Sequence, residues 1–156
     1  VLTDNIINTT SGNDTVLHLD TSGPSDITIE RNSLIMGGGF SVTPNLGMEF
    51  LLANTSTTRL ISNSIVDNTE GEGILFTTIA APASVQLDNN RISIQGLFTG
   101  DVERGIVFQA VSGQVNLTGP RNNIITINNG GGPAVFFQMP PGSNNGQILV
   151  NGFLVP

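Results

Sequence analysis

The sequence is first notable for what it lacks. It contains no cysteine, tryptophan or tyrosine, and only 11% of its 156 residues are charged, about half the usual share. The absence of cysteine excludes disulfides, thiolate metal sites and cysteine nucleophiles. No stretch approaches the ~18 consecutive apolar residues that a membrane-spanning helix needs, so we expect no membrane span.

Basic residues are also scarce. Five Lys and Arg residues stand against 12 Asp and Glu residues, and the formal net charge is −7. Binding of nucleic acid or of an anionic membrane surface requires clustered cations. The charge therefore excludes nucleic acid as a partner.

A repeated asparagine pattern is the clearest positive signal. The pattern places an apolar residue three positions before an Asn and another two positions after it, and successive Asn residues are 27 to 32 residues apart. Four copies are regular, and a fifth carries a two-residue insertion. The copies are Leu2-Asn5-Ile7, Ile29-Asn32-Leu34, Leu60-Asn63-Ile65, Leu87-Asn90-Ile92 and Leu117-Asn122-Ile124.

A second motif follows each asparagine in a fixed order. It reads GMEF at 47–50, GILF at 73–76, GIVF at 105–108 and PAVF at 133–136, with a weaker DTVL at 14–17. A small or turn residue followed by apolar residues at every second position is typical of a β-strand. No segment shows a helical period, and the abundant Gly, Asn and Thr disfavour helix.

Two strand motifs recurring in one order at a loose period indicate a solenoid, because each turn must place its strands on those of the turn below. Strands that recur in one direction stack in parallel, and the crossovers are here other strands and turns. The sequence therefore predicts an all-β fold, a right-handed parallel β-helix of about five rungs. We expect one domain over residues 1–156, as a segment of a longer protein.

The asparagine turn between two short strands, followed by a glycine-led strand, resembles the right-handed parallel β-helix of the pectin-lyase-like superfamily. The resemblance implies that the asparagines stack as a ladder at the tight turn between the second and third strands, and that Gly47, Gly73 and Gly105 open the first strand. A tight corner needs a residue near the left-handed region, which Asn tolerates best among the non-glycines, and stacked amides can hydrogen-bond between rungs. The expected ladder is Asn5, Asn32, Asn63, Asn90 and Asn122.

Alternation along the glycine-led strand predicts its two faces. The expected inner stack is Leu17, Phe50, Phe76, Phe108 and Phe136, next to an inner row of Thr15, Met48, Ile74, Ile106 and Ala134. The outer face, which should be polar, is largely apolar. It is either covered by the chain's own loops or forms an interface with a partner or a second copy of the chain. The candidate interface residues are Val16, Leu51, Leu75, Val107, Val135 and Phe137.

Acidic residues precede the glycine-led strand in two neighbouring rungs. They are Asp67, Glu70 and Glu72 in one rung and Asp101 and Glu103 in the next. Enzymes of the resembled superfamily use calcium-binding aspartates, proton-abstracting arginines or aspartate clusters on or beside this strand. Oxygen ligands suit calcium, and two carboxylates ~5–9 Å apart suit glycoside hydrolysis. The simplest interpretation is a solvated acidic rim, with no catalytic residue, metal or cofactor; His18 and Glu49 then lie on the outer surface.

These observations favour a non-enzymatic structural or adhesive module of a secreted or cell-surface bacterial protein. Its expected partner is a protein or a polysaccharide. The alternative is a carbohydrate-active enzyme, either a polysaccharide lyase or a glycoside hydrolase, or a polysaccharide-binding relative of one. The absence of Trp and Tyr removes the side chains that most often stack on sugar rings, which favours the first interpretation.

Overall fold

The fold follows from the apolar periodicity, because each short run of alternating apolar residues forms one strand. A computed structural model describes residues 1–10, 15–37, 45–52, 56–68, 71–80, 83–95, 103–109, 111–112, 114–118, 123–128, 135–137, 147–150 and 153–154. Within these ranges the chain forms 18 β-strands and no helix.

The strands belong to three sheets. The first sheet contains β1 (Leu2–Thr3), β4 (Asp26–Glu30), β7 (Thr57–Ile61), β10 (Ala83–Asp88), β14 (Gln114–Thr118), β17 (Gln147–Val150) and β18 (Phe153–Leu154). The second contains β2 (Ile6–Thr9), β5 (Ser33–Met36), β8 (Ser64–Asp67), β11 (Arg91–Gln95) and β15 (Ile124–Asn128). The third contains β3 (Thr15–Asp20), β6 (Asn45–Leu52), β9 (Gly71–Ala80), β12 (Arg104–Phe108) and β16 (Val135–Phe137).

The chain visits the three sheets in the same order five times. Each circuit adds one strand to each sheet, and every strand of these circuits pairs in parallel with its counterpart in the next circuit. β17 then adds a sixth strand to the first sheet, β18 folds back antiparallel on it, and β13 (Val111–Ser112) pairs with the end of β9. The predicted fold is confirmed: the chain is a right-handed parallel β-helix of about five rungs.

The core lies between the sheets and contains a stack of aromatic rings. Phe50, Phe76 and Phe108 are fully buried on successive rungs. The rings of Phe50 and Phe76 have centroids 5.0 Å apart, and those of Phe76 and Phe108 lie 4.8 Å apart and within 2° of parallel. The rung spacing of ~4.8 Å matches the distance at which aromatic rings stack. Residues that are register partners in neighbouring strands therefore also stack their rings.

The register corrects the two ends of the predicted stack. Phe50 pairs with Leu19 rather than Leu17, and Phe108 pairs with Phe137 rather than Phe136. The inner row shifts in the same way, because Leu17 pairs with Met48 and Val135 pairs with Ile106, in place of Thr15 and Ala134. The apolar runs around these positions are longer than one strand motif. More than one alignment with the neighbouring strand therefore places apolar residues at every second position.

Gly47, Gly73 and Gly105 form a column within the third sheet, yet they do not open their strands. β6, β9 and β12 begin earlier, at Asn45, Gly71 and Arg104. A Cβ atom on Gly73 would lie 2.5 Å from Cγ2 of Ile92 and 2.6 Å from the carbonyl oxygen of Gly105. A Cβ atom on Gly47 would likewise lie 2.8 Å from Cγ2 of Ile65, so glycine is required at both positions because the second and third sheets approach each other closely there.

Candidate functional site

The asparagine ladder is the most regular polar feature of the interior. Asn32, Asn63 and Asn90 are at most 1% exposed. In each pair of rungs, Oδ1 of the later asparagine accepts from both the backbone N and the Nδ2 of the earlier one. For Asn63 donating to Asn90 these distances are 3.0 and 2.9 Å, and for Asn32 donating to Asn63 both are 3.1 Å.

The second proton of each amide is also used. Nδ2 of Asn63 donates to the carbonyl of Ile29 at 2.9 Å, and Nδ2 of Asn90 donates to the carbonyl of Leu60 at 2.7 Å. Both acceptors lie three residues before the asparagine of the preceding rung. The ladder amides therefore hydrogen-bond to backbone carbonyls near the turn as well as to one another. Polar atoms in a protein core are normally hydrogen-bonded in this way.

The residue before each ladder asparagine has left-handed backbone geometry. Asp4, Arg31, Ser62 and Asn89 have φ angles of 59°, 54°, 55° and 53°. We expected the asparagine itself to adopt this geometry, and that expectation was wrong. The corner is made by its exposed predecessor, and the asparagine is selected for its amide, which bonds along the stack.

The fifth ladder position belongs to Asn123. Backbone N and Nδ2 of Asn90 donate to Oδ1 of Asn123 at 2.9 and 2.8 Å, and Nδ2 of Asn123 donates to the carbonyl of Leu87. The predicted residue, Asn122, lies outside the described residues. Asn123 could have been identified from the sequence by comparing the Asn122-Asn123 pair with the Asn89-Asn90 pair. In both pairs the second asparagine belongs to the ladder.

Charged side chains on the surface also connect neighbouring rungs. Arg31 donates to Asp4 through Nε at 2.8 Å and through a second nitrogen at 2.9 Å, and it also contacts Glu30. Arg59 pairs with Asp26 in the preceding rung. The hydrogen bond and charge of Arg31 lower the pKa of the exposed Asp4 carboxyl below its ordinary value.

A hydrogen-bonded chain crosses three rungs on the outer face of the third sheet. Nδ1 of His18 donates to Oε2 of Glu49 at 2.8 Å, and the hydroxyl of Thr77 donates to Oε1 of Glu49 at 2.8 Å. Sequence reasoning placed His18 and Glu49 on the outer face but did not bring them together, because their pairing depends on the corrected register of β3 and β6.

Three of the five acidic candidates are described, and all three are buried rather than solvated. Asp67 and Glu103 are 1% exposed and Glu72 is 6% exposed. Glu72 lies within β9, not in a loop before it, and accepts from Nη1 of Arg104 at 2.9 Å. The expected solvated rim is therefore wrong for these residues. Glu70 and Asp101 lie outside the described residues.

The candidate apolar interface is largely internal where its side chains are described. Leu75 is 6% exposed and Val107 is fully buried, so neither offers free surface. Val16 packs against the core, and Leu51 is half-buried. Of the side chains of Val135 and Phe137 nothing is described. Within the described part of the chain, no continuous exposed stripe runs along this face.

The fold and the ladder define the class of this protein as a parallel β-helix with an internal asparagine ladder. Within the described ranges, no helix is long and apolar enough to cross a membrane. Comparison with protein-family models, with curated proteins and with solved structures gives no match to this chain. Function therefore has to be inferred from the side chains themselves.

Proposed function

We propose that this chain is a non-enzymatic structural and adhesive module of a secreted or cell-surface bacterial protein, related to the pectin-lyase-like β-helices. The observation that carries the proposal is the use of polar side chains as connections between rungs. The asparagine amides bond along the ladder, and Arg31, Arg59 and Arg104 pair with carboxylates 27 to 33 residues away. Side chains used in this way stiffen a rod.

The burial of the acidic candidates also supports this proposal over a carbohydrate-active enzyme. A pair of carboxylates that cleaves a glycan must meet the sugar and, in an inverting enzyme, a water molecule. Asp67 and Glu103 are almost completely removed from solvent, and Glu72 is bonded to Arg104. On the outer face, Glu49 is held by His18 and Thr77.

The low charge and the absence of cysteine fit an exported bacterial rod that needs no disulfides. Its partner in this proposal is a protein or a polysaccharide at a surface. A module of this kind binds its partner without changing it chemically.

One experiment separates the module from the enzyme. Purified protein is passed over immobilised polysaccharides, including polygalacturonate, and over extracellular-matrix proteins, and the soluble phase is assayed for reducing ends and unsaturated uronides. The proposal predicts retention on at least one surface with no released product. Release of product by the wild type, abolished in Glu103→Gln but retained in Asp26→Asn, would establish the enzyme instead; failure to bind any surface would remove the adhesive part.

A further inference from the structure

Exposed large apolar side chains are concentrated on one face of the β-helix. Among the described residues there are four, and three of them, Ile6, Ile35 and Ile124, lie on the outer face of the second sheet. Ile6 is 76% exposed and Ile124 is 61% exposed. The fourth, Val1, precedes the first strand. Apolar residues gathered on a single exposed face are typical of an interaction surface.

The same face differs from the other two in charge. At the described outward strand positions of the second sheet the one charged residue is Arg91, whereas the first sheet carries Asp26 and Glu30 and the third carries Asp20 and Glu49. The chain has a formal net charge of −7, so two copies repel each other. The second sheet is therefore the face on which two copies meet with the least repulsion between like charges.

The register arranges the outer residues of this face symmetrically about its middle strand. The strand order is β2, β5, β8, β11 and β15, so β8 is central. One outward row contains Ile6, Ser33, Ser64, Arg91 and Ile124, each the register partner of the next. At ~4.8 Å per rung, Ile6 and Ile124 both lie about 10 Å from Ser64, on opposite sides of it.

The neighbouring outward row has the same centre. It contains Asn8, Ile35, Val66, Ser93 and Thr126, with Val66 on β8. A two-fold axis parallel to β8, running between two such faces, exchanges β2 with β15 and β5 with β11. Val66 then meets Val66 of the other copy, and Ile35 meets Ser93.

This axis also matches the first row. Ile6 of each copy lies opposite Ile124 of the other, and Arg91 lies opposite Ser33, so no charge faces a like charge. A two-fold axis parallel to the rod would instead place Ile6 opposite Asn8 and each isoleucine against a polar residue. The axis parallel to β8 is therefore the one that makes the face complementary to itself, as a two-fold interface requires.

The size of the face sets the strength of the contact. Five strands at ~4.8 Å, each about five residues long at ~3.3 Å per residue, cover about 400 Å² on each copy. Two sheets packed face to face at ~10 Å would bury about 800 Å² in total, which is the range of weak and transient interfaces. We expect a dissociation constant between about 10 μM and 1 mM.

We propose that the outer face of the second sheet is a homophilic contact, on which a second copy of this chain packs about a two-fold axis parallel to β8. This surface is distinct from the apolar interface expected from the sequence, which lies on the third sheet. The inference does not depend on the proposed function, since an adhesive rod and an enzyme can both pair in this way.

Sedimentation velocity of the full chain, at about 10 μM to 1 mM protein, tests the proposal. We expect a monomer–dimer equilibrium that strengthens as NaCl is raised from about 50 to 500 mM, because salt screens the repulsion between two negative chains while the contact itself is apolar. Ile6→Glu and Ile124→Lys, each alone, should weaken dimerisation at least about tenfold, since each places an unpaired charge against an isoleucine.

The two substitutions combined test the symmetry. The new carboxylate and the new ammonium face each other twice across the axis, so the double variant should dimerise within about threefold of the wild type. Thr15→Glu is the matched control, because it adds the same charge at an exposed strand position of the third sheet. It should leave dimerisation within about twofold of the wild type.

Three results would overturn the proposal. A wild type that stays monomeric at about 1 mM in high salt would leave the face for a different macromolecule. Equal weakening by Thr15→Glu and Ile6→Glu would show that the contact lies elsewhere. A double variant no stronger than either single variant would exclude the two-fold axis.

Far-ultraviolet circular dichroism shows whether each variant folds. If Ile6→Glu does not, Asn8→Glu combined with Thr126→Lys repeats the test, because both residues are exposed and the same axis brings them together. Dimerisation that this second pair weakens singly and does not restore in combination would also refute the proposal.

Discussion

Removal of one rung of the asparagine ladder should cost a large part of the stability of the protein. Asn63→Ala deletes four hydrogen bonds: two that Asn63 Oδ1 accepts from Asn32, and two that Nδ2 donates to Ile29 and Asn90. At ~1 kcal/mol net for each bond, with an extra penalty for the buried backbone N of Asn32 left without its acceptor, the free energy of unfolding should fall by about 3–5 kcal/mol.

The matched variants are Asn5→Ala and Asn8→Ala. Asn5 is half-buried, and its amide nitrogen donates only two hydrogen bonds, to the carbonyl of Thr3 and to Oδ1 of Asn32. We therefore expect Asn5→Ala to lower the free energy of unfolding by about 1–2 kcal/mol. Asn8 is exposed in β2 and should change stability by less than about 0.5 kcal/mol. The assay is urea unfolding followed by far-ultraviolet circular dichroism, since the chain has no Trp or Tyr for fluorescence. Equal losses for Asn63→Ala and Asn8→Ala would refute the ladder as a source of stability.

Three further predictions concern the core, the close sheet contact and the surface. Phe76→Ala should lower the free energy of unfolding by about 3–5 kcal/mol in the same assay, because it opens a cavity in the middle of the aromatic stack. Gly73→Ala should cost at least about 1–3 kcal/mol, whereas Gly23→Ala, which meets no atom within 4 Å, should be neutral or slightly stabilising; similar effects at the two sites would contradict the close approach. In a carboxyl NMR titration, Asp4 should have a pKa below its ordinary value that rises in Arg31→Gln. The stability supplied by this pair is present above the unfolded-state pKa and is lost as the pH falls through the lowered value.

The fold could be predicted from the sequence because its two determinants are local and repeated. An asparagine at each corner and an alternating strand after it recur often enough to define the rung, even with variable loops. The same repetition located four of the ladder residues, Asn5, Asn32, Asn63 and Asn90, without any structural information.

The sequence did not predict the strand register where several alignments of a strand are equally apolar. It also did not predict contacts between side chains of different rungs. Around Leu19 and Phe137 a shift by one or two residues preserves the apolar alternation, and only pairing with the next rung selects the frame. The burial of Asp67 and Glu103 could not be predicted either. The Asp67 carboxylate lies in the space that Gly71 leaves by lacking a side chain, whereas a sequence pattern shows only that the residues are acidic and near a strand.

The most direct test of the account is a cross-link between rungs, since the chain has no native cysteine. Thr57 and Ser84 are register partners in β7 and β10, and their hydroxyl oxygens lie 3.4 Å apart. Thr57→Cys combined with Ser84→Cys should form an intramolecular disulfide on mild oxidation, detected by mass spectrometry of a non-reduced digest. Thr57→Cys combined with Gln86→Cys, two residues out of register, should form far less. Equal cross-linking in both pairs, or more in the second, would contradict the parallel stacking of rungs on which the ladder and the core both depend.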